Sequence, residues 1–190
     1  MYGLVNRSIE GLVVARFGEE AWQKIRQVAG IEEEVFLSNE SYPDAMTYRL
    51  VGAASQVLGL SADAVLEAFG DHWVNKTAQE GYGSMLDVCG RTLPDFLRNL
   101  PNLHARVILM FPRLRPPTFS VSDETPNSLV LHYESHREGL TSFVVGLLKG
   151  LGRKFNTPVT VTLISPRAPG SQRESFRIEW QVPGVGVPVA

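Results

Sequence analysis

Leu129-Val130-Leu131-His132-Tyr133-Glu134-Ser135-His136-Arg137 opens as a β-strand of the buried kind, apolar and partly β-branched. Side chains alternate along a strand, so Leu129, Leu131, Tyr133, Ser135 and Arg137 share one face. Val130, His132, Glu134 and His136 share the other. The first face starts as core and ends in a guanidinium. An arginine turned toward a core needs an anion, and its fork fits a carboxylate. The Tyr133 and Ser135 hydroxyls add donors beside it. The plainer alternative is an arginine that turns to solvent at the strand end or pairs with a local glutamate.

The neighbours of this strand set the architecture. Residues 118–122 read as its partner, across a turn at Asp123-Glu124-Thr125-Pro126-Asn127. Leu140, Phe143, Leu147, Leu148 and Leu151 then recur at helical spacing between Gly139 and Phe155. Residues 159–164 and 175–181 form a second strand pair. The glycines of Gly146-Leu147-Leu148-Lys149-Gly150-Leu151-Gly152 lie inside the helical pattern. They suit close packing against a flat ligand or another helix better than a phosphate cradle.

Upstream, the chain reads helical. Val5, Ile9, Leu12, Val13 and Phe17 make a helix ended by Gly18, and Trp22, Ile25, Val28 and Ala29 make one closed by Gly30. Ser41-Tyr42-Pro43-Asp44 opens a third, through Leu50, Val51, Ala54, Val57 and Leu58 to Gly59. Ser61 caps a fourth, carrying Val65, Leu66, Phe69, Trp73 and Val74, which Gly81-Tyr82-Gly83 is expected to break. A short helix carries Met85, Leu86 and Val88. Thr92-x-x-Asp95 caps a helix bearing Phe96, Leu97 and Leu100. Pro101 is expected to begin a separate helix reaching Phe111. Helices followed by β-β-α-β-β make an α+β fold with a mostly antiparallel sheet. Residues 182–190 alternate Val with Pro and Gly, which predicts a mobile tail.

Composition narrows the partners. The 190 residues are 44% hydrophobic and 20% charged, with a net charge of −2. A nucleic-acid partner would need a basic patch, and a membrane span a long apolar run; neither is present. Cys89 is the only cysteine, so an internal disulfide and a cysteine-based zinc site are excluded, and it reads as a small hydrophobe. No signal-peptide pattern opens the chain, and cytoplasm is the default expectation. There is no P-loop, no dinucleotide-binding glycine motif, no nucleophile elbow and no His-Glu-x-x-His.

Four histidines remain to be placed. His104, in Asn102-Leu103-His104, lies on one helical stripe with Leu100, Val107, Ile108 and Phe111. It is either a core histidine bonded to a carbonyl or a metal ligand whose other nitrogen is so anchored. His132-x-Glu134-x-His136 lacks a third nitrogen or sulfur ligand and reads as a solvated sheet face. His72 rotates away from the inward stripe of Phe69 and Trp73. His104 offers a nitrogen to a metal, and Tyr133, Ser135 and Arg137 offer donors to carboxylates. Haem, a metal at its centre and a dicarboxylate at its edge, would satisfy both.

Together these residues resemble the haem nitric oxide/oxygen-binding (H-NOX) family, which includes the haem domain of soluble guanylate cyclase and bacterial stand-alone nitric oxide sensors. The resemblance spans residues 1–181 as a single domain of two lobes. It rests on Met1-Tyr2-Gly3-Leu4-Val5-Asn6, Asn102-Leu103-His104, Arg115-Pro116-Pro117 and Leu131-His132-Tyr133-x-Ser135-x-Arg137-Glu138-Gly139-Leu140. It implies a helical distal lobe, a proximal lobe with a four-stranded antiparallel sheet, and haem b (iron protoporphyrin IX) between them. His104 would be the axial iron ligand. Tyr133, Ser135 and Arg137 would bind the propionates, and Pro117 would press on the porphyrin and distort it. Leu4, Trp73, Phe143 and Leu147 would line the distal pocket. Oxygen-binding relatives place a tyrosine where this chain has Phe143.

The implied function is sensing, not catalysis. Nitric oxide, and also carbon monoxide, would bind ferrous iron, and nitric oxide would weaken the bond to His104. A separate histidine kinase or cyclic-nucleotide enzyme would read the change, since the chain leaves no room for a fused output domain. An oxygen sensor, or a non-haem module taking a carboxylate ligand or a protein partner in the cleft, are the alternatives.

Overall fold

Glycine punctuation sets the first helices of the computed structural model, which describes residues 1–181. The expectation of a mobile tail over residues 182–190 lies outside the described residues. Helix α1 (Gly3–Phe17) is followed by α2 (Glu19–Ala29) and α3 (Asp44–Leu58). Gly30 and Gly59 end the latter two in the left-handed conformation, at φ 62° and 66°. Helix α4 (Ala62–His72) starts at Ser61, whose Oγ accepts from the Ala64 N–H at 3.1 Å.

Of two expected breaks, one is present as a kink and the other is absent. Gly81-Tyr82-Gly83 breaks the helix as expected, in the form of a kink. A π-turn (Trp73–Thr77) leads directly into α5 (Ala78–Asp87), and only Tyr82 departs from helical torsions, at φ −143° and ψ 21°. A helical glycine costs about 1 kcal/mol relative to alanine. Ala78 and Leu86 are buried on either side, so the chain resumes its helical course after the kink. No second helix begins at Pro101, because α6 runs unbroken from Leu93–Met110 with Pro101 inside it. Leu93, Phe96, Leu97, Leu100 and Leu103 form one continuous buried stripe, and Pro101 sits on the exposed side. The packed stripe outweighs the roughly 3 kcal/mol that an interior proline costs. Thr92 caps this helix as expected, accepting from the Asp95 N–H at 3.3 Å.

The second half follows the expected order: β1 (Thr118–Thr125), β2 (Ser128–Glu134), α7 (Thr141–Lys154), β3 (Val159–Ser165) and β4 (Arg173–Trp180). All pairs are antiparallel, in the order β1-β2-β4-β3. The apolar strands lie centrally, where Leu131 faces Val121 on one side and Phe176 on the other. The Ser- and Thr-rich β1 and β3 take the edges.

Two apolar cores result. One packs α1 to α4 around Trp22, Ile25, Phe36 and Leu50. The other packs α6 and α7 onto the sheet around Leu97, Leu131 and Phe176. Trp73 touches both, and α7 contributes Phe143 to the first and Val144 and Leu148 to the second. The glycines of α4 and α7 let these helices touch backbone to backbone. A Cβ at Gly70 would strike the Phe143 carbonyl, and one at Gly146 the Glu67 carbonyl.

Candidate functional site

A cavity of about 290 Å³ lies between the two cores. His104, Pro117, Tyr133, Ser135, Arg137, Leu4, Trp73, Phe143 and Leu147, the residues singled out in the sequence, all line it.

One wall is built by α6 and the segment before β1. The His104 Nδ1–H donates to the Pro117 carbonyl at 3.0 Å. Burial pushes the imidazole pKa below its usual value, and the Pro117 bond offsets this only in part. The ring is therefore neutral, with its proton on Nδ1 and a lone pair on Nε2. Among the described residues Nε2 has no hydrogen-bond partner. The ring lies 5.5 Å, centroid to centroid, from Phe119, which itself lies 5.5 Å from Tyr133. Val107 and Phe111 continue the His104 stripe into the cavity, as read from the sequence. Ile108 does not; it is 40% exposed on the outer side of α6.

The polar edge is the end of β2. Tyr133 and Ser135 are buried while Glu134 and His136 are exposed, so the strand's alternation persists to its end. Burial raises the Tyr133 pKa and keeps its phenol a donor. The Ser135 Oγ accepts from the Arg137 N–H at 3.1 Å, which turns the chain so that Arg137 reaches the cavity. Arg137 Nε donates to Asp44 Oδ2 at 2.8 Å, and Nη1 to the Arg115 carbonyl at 2.9 Å. Its Nη2 has no partner among the described residues. The local glutamate of the plainer reading is thus an aspartate from the other core. Burial pushes Asp44 upward, but bonds from the Met1 ammonium and Arg137 outweigh it and hold the carboxyl below its usual range.

The opposite wall is apolar. Leu4, Phe69, Trp73, Phe143 and Leu147 form it, with Phe69 and Phe143 at 4.8 Å. Three nearby hydroxyls are committed elsewhere, whereas the Tyr82 phenol, which also lines the cavity, has no partner among the described residues. Thr47 donates to Asn6 at 2.7 Å, Thr141 to Glu174 at 2.8 Å and Ser142 to Asp63 at 2.6 Å. Trp73 keeps a free indole N–H among the described residues. Val5, Phe119 and Tyr82 also line the cavity and were not foreseen. Phe119 was available from its register opposite Tyr133. Tyr82 was hidden by the expectation of a break.

His132 and His72 are held in structural contacts, and His136 is exposed. His132 sits between Ser122 and Ser175 at 2.8 Å each, and no metal-binding cluster of His, Cys, Asp or Glu occurs among the described residues. His72 packs against Gly11 of α1, outside the cavity.

Comparison with known proteins now bears on this geometry. The family described as Haem-NO-binding matches residues 2–163. The chain belongs to the Haem-NO-binding family. It is 30% identical to soluble guanylate cyclase gcy-31 of Caenorhabditis elegans over 86% of its own length and 24% of the relative's. Soluble guanylate cyclase 89Db of Drosophila melanogaster is 26% identical over 82% of the chain and 23% of the relative. The chain thus spans about a quarter of the length of these relatives. A mutant H-NOX protein from K. algicida, unliganded and Fe(II), superposes with TM-score 0.84 at 25% identity, covering 97% of this chain and 98% of that one. An H-NOX protein from S. oneidensis in the Fe(II)NO state does so with TM-score 0.86 at 21% identity, covering 96% of this chain and 100% of that one.

Haem-NO-binding domains bind haem, and the residues present fit that group. The cavity walls are apolar, one neutral imidazole presents an unengaged lone pair, and a guanidinium with a spare Nη2 closes one edge beside two hydroxyls.

Proposed function

We propose that this chain is a haem-based sensor of nitric oxide that signals to a separate protein and catalyses no reaction itself. Bound haem b would supply a ferrous iron able to take a diatomic gas. His104 would hold it through Nε2, oriented by the Pro117 carbonyl. Tyr133, Ser135 and Arg137 would hold the propionates, and the Pro117 ring would press on the porphyrin. The observation that carries this reading is the His104 geometry: Nδ1 tied at 3.0 Å and Nε2 left unengaged beside the cavity.

His104 sits near the C-terminal end of α6, so a change in its hold would be felt along that helix and at the Phe111 to Pro117 segment. A guanylate cyclase or a histidine kinase is the class of partner proposed to read it. Identity with soluble guanylate cyclases supports the first.

One observation favours the oxygen-binding alternative. Trp73, whose N–H has no partner among the described residues, lines the distal wall, where a donor would stabilise bound oxygen. Phe143 and the committed hydroxyls of Thr47, Thr141 and Ser142 weigh against it. Absorption spectra of the reduced protein under nitric oxide, carbon monoxide and air separate the readings. The expected result is a new spectrum with each of the first two gases and, in air, only slow oxidation. A stable spectrum in air that reverts on removing oxygen, and is lost in Trp73→Phe, would establish the oxygen reading.

A further inference from the structure

The helical course along the distal wall changes phase at the π-turn, ahead of the kink at Tyr82. We infer that Asn75 is the positioning residue that pins this turn and so aims Trp73 at the gas site, an inference that rests on the sensor reading for its ligand. Helix α4 presents Leu66, Phe69 and Trp73 to the cavity. Continued at 3.6 residues per turn, the same face would next present Lys76 or Thr77, then Glu80 and Ser84. It presents Ala78, Tyr82 and Met85 instead, while Lys76, Glu80 and Ser84 are exposed. The cause is one extra residue in the turn. The Ala78 N–H bonds to the Trp73 carbonyl, five residues back, not four. One residue advances the rest of the helix by about 100°. Two apolar stripes that are out of phase in the sequence are thereby joined into one wall.

A π-turn is less favourable than α-helix and needs a local hold. Asn75 supplies it. Its Nδ2 lies 2.7 Å from Asp71 Oδ1, 3.1 Å from the Asp71 carbonyl and 3.4 Å from the Gly150 carbonyl on α7. Arg153 Nε fixes the Asp71 carboxylate at 3.0 Å. The space opposite is tight, because a Cβ at Gly150 would stand 3.2 Å from Asn75 Nδ2 and the amide would have to give by a few tenths of an ångström. The amide thus clamps the turn to itself and to α7. Trp73, the first residue of the turn, packs edge-on to Phe69 at 6.2 Å with its indole N–H unpaired among the described residues. Releasing the clamp would let the turn relax and swing that indole.

The test uses the indole N–H cross-peaks of Trp22, Trp73 and Trp180 in ¹⁵N-labelled protein as purified, the Trp73 peak being assigned by its loss in Trp73→Phe. Asn75→Ala is expected to shift the Trp73 peak and leave the other two in place. Gly150→Ala, which crowds the amide without removing it, is expected to shift the same peak less. In the haem-loaded protein, Asn75→Ala should also shift the stretching frequency of bound carbon monoxide, and the shift should vanish in the Trp73→Phe background. An unmoved Trp73 peak in a folded Asn75→Ala, or a carbon monoxide shift that persists without Trp73, overturns the inference. A protein that takes up no haem overturns the sensor reading instead, and the indole peaks still decide the role of Asn75.

Discussion

His104 makes a testable acid-sensitivity claim at the scale of a single side chain. Its folded-state pKa is depressed below 6.5 by burial, so the unfolded chain binds the proton more readily. The stability tied to the neutral ring is complete above the unfolded value and lost as pH falls below it toward the folded value. His72 and His132 shift in the same direction, so only part of the slope belongs to His104. Denaturant midpoints of haem-free protein, taken between neutral pH and about pH 5.5, should therefore fall less in His104→Phe than in the parent. Equal slopes would show that the ring is not held neutral. Arg137 and Ser135 make a second claim. A charge-assisted forked contact contributes about 1.5–3 kcal/mol, against about 1 kcal/mol for a neutral hydroxyl bond. Arg137→Ala should accelerate haem loss to apomyoglobin more than Ser135→Ala does. Equal rates would mean that the propionates are solvated and that the motif only shapes the strand. Tyr133, Ser135 and Arg137 were legible because a period of two and a terminal arginine are local signals. Asp44, the partner of Arg137, was not, since 93 residues separate the two.

At the scale of the element, local rules misled where a continuous stripe prevailed. Pro101 is a sound break signal in isolation, as Gly81-Tyr82-Gly83 is at the Tyr82 kink. In α6, though, the spacing of Leu93, Phe96, Leu97, Leu100 and Leu103 keeps one phase through the proline. The π-turn was illegible for the opposite reason, because its extra residue shifts the phase and makes one helical course look like two. Strands were read well, since β2 and β4 owe their place to apolar content that any central strand must have. Pro101 supplies the prediction here. It removes the N–H that would bond the Leu97 carbonyl, and it is exposed. Pro101→Ala should raise the unfolding temperature by an amount equivalent to about 1–3 kcal/mol, the helical cost of proline less the entropy it removes from the unfolded chain. A lowered unfolding temperature would show that the proline relieves strain in α6.

At the scale of the whole molecule, the cavity is where the two cores fail to meet. The direct ties across it are few. Tyr48 donates to the Glu138 carbonyl at 2.8 Å, Arg137 pairs with Asp44, and Lys149 with Glu67 at 2.6 Å. Exposed ion pairs contribute at most about 1 kcal/mol each. The cores are joined chiefly by the glycine-lined contact of α4 with α7, along one side of the cavity. A flat ligand held at His104 and covered by Trp73 and Phe143 would complete the other contacts. Its hold on α6 would become the mechanical link between the cores.

The ferrous spectrum of His104→Gly, with and without added imidazole, tests that claim most directly. The account predicts a folded protein whose haem is lost or changed in spectrum, and whose parent spectrum returns when imidazole fills the space left by the side chain. A ferrous spectrum identical to the parent's without imidazole would place the iron ligand elsewhere and contradict it.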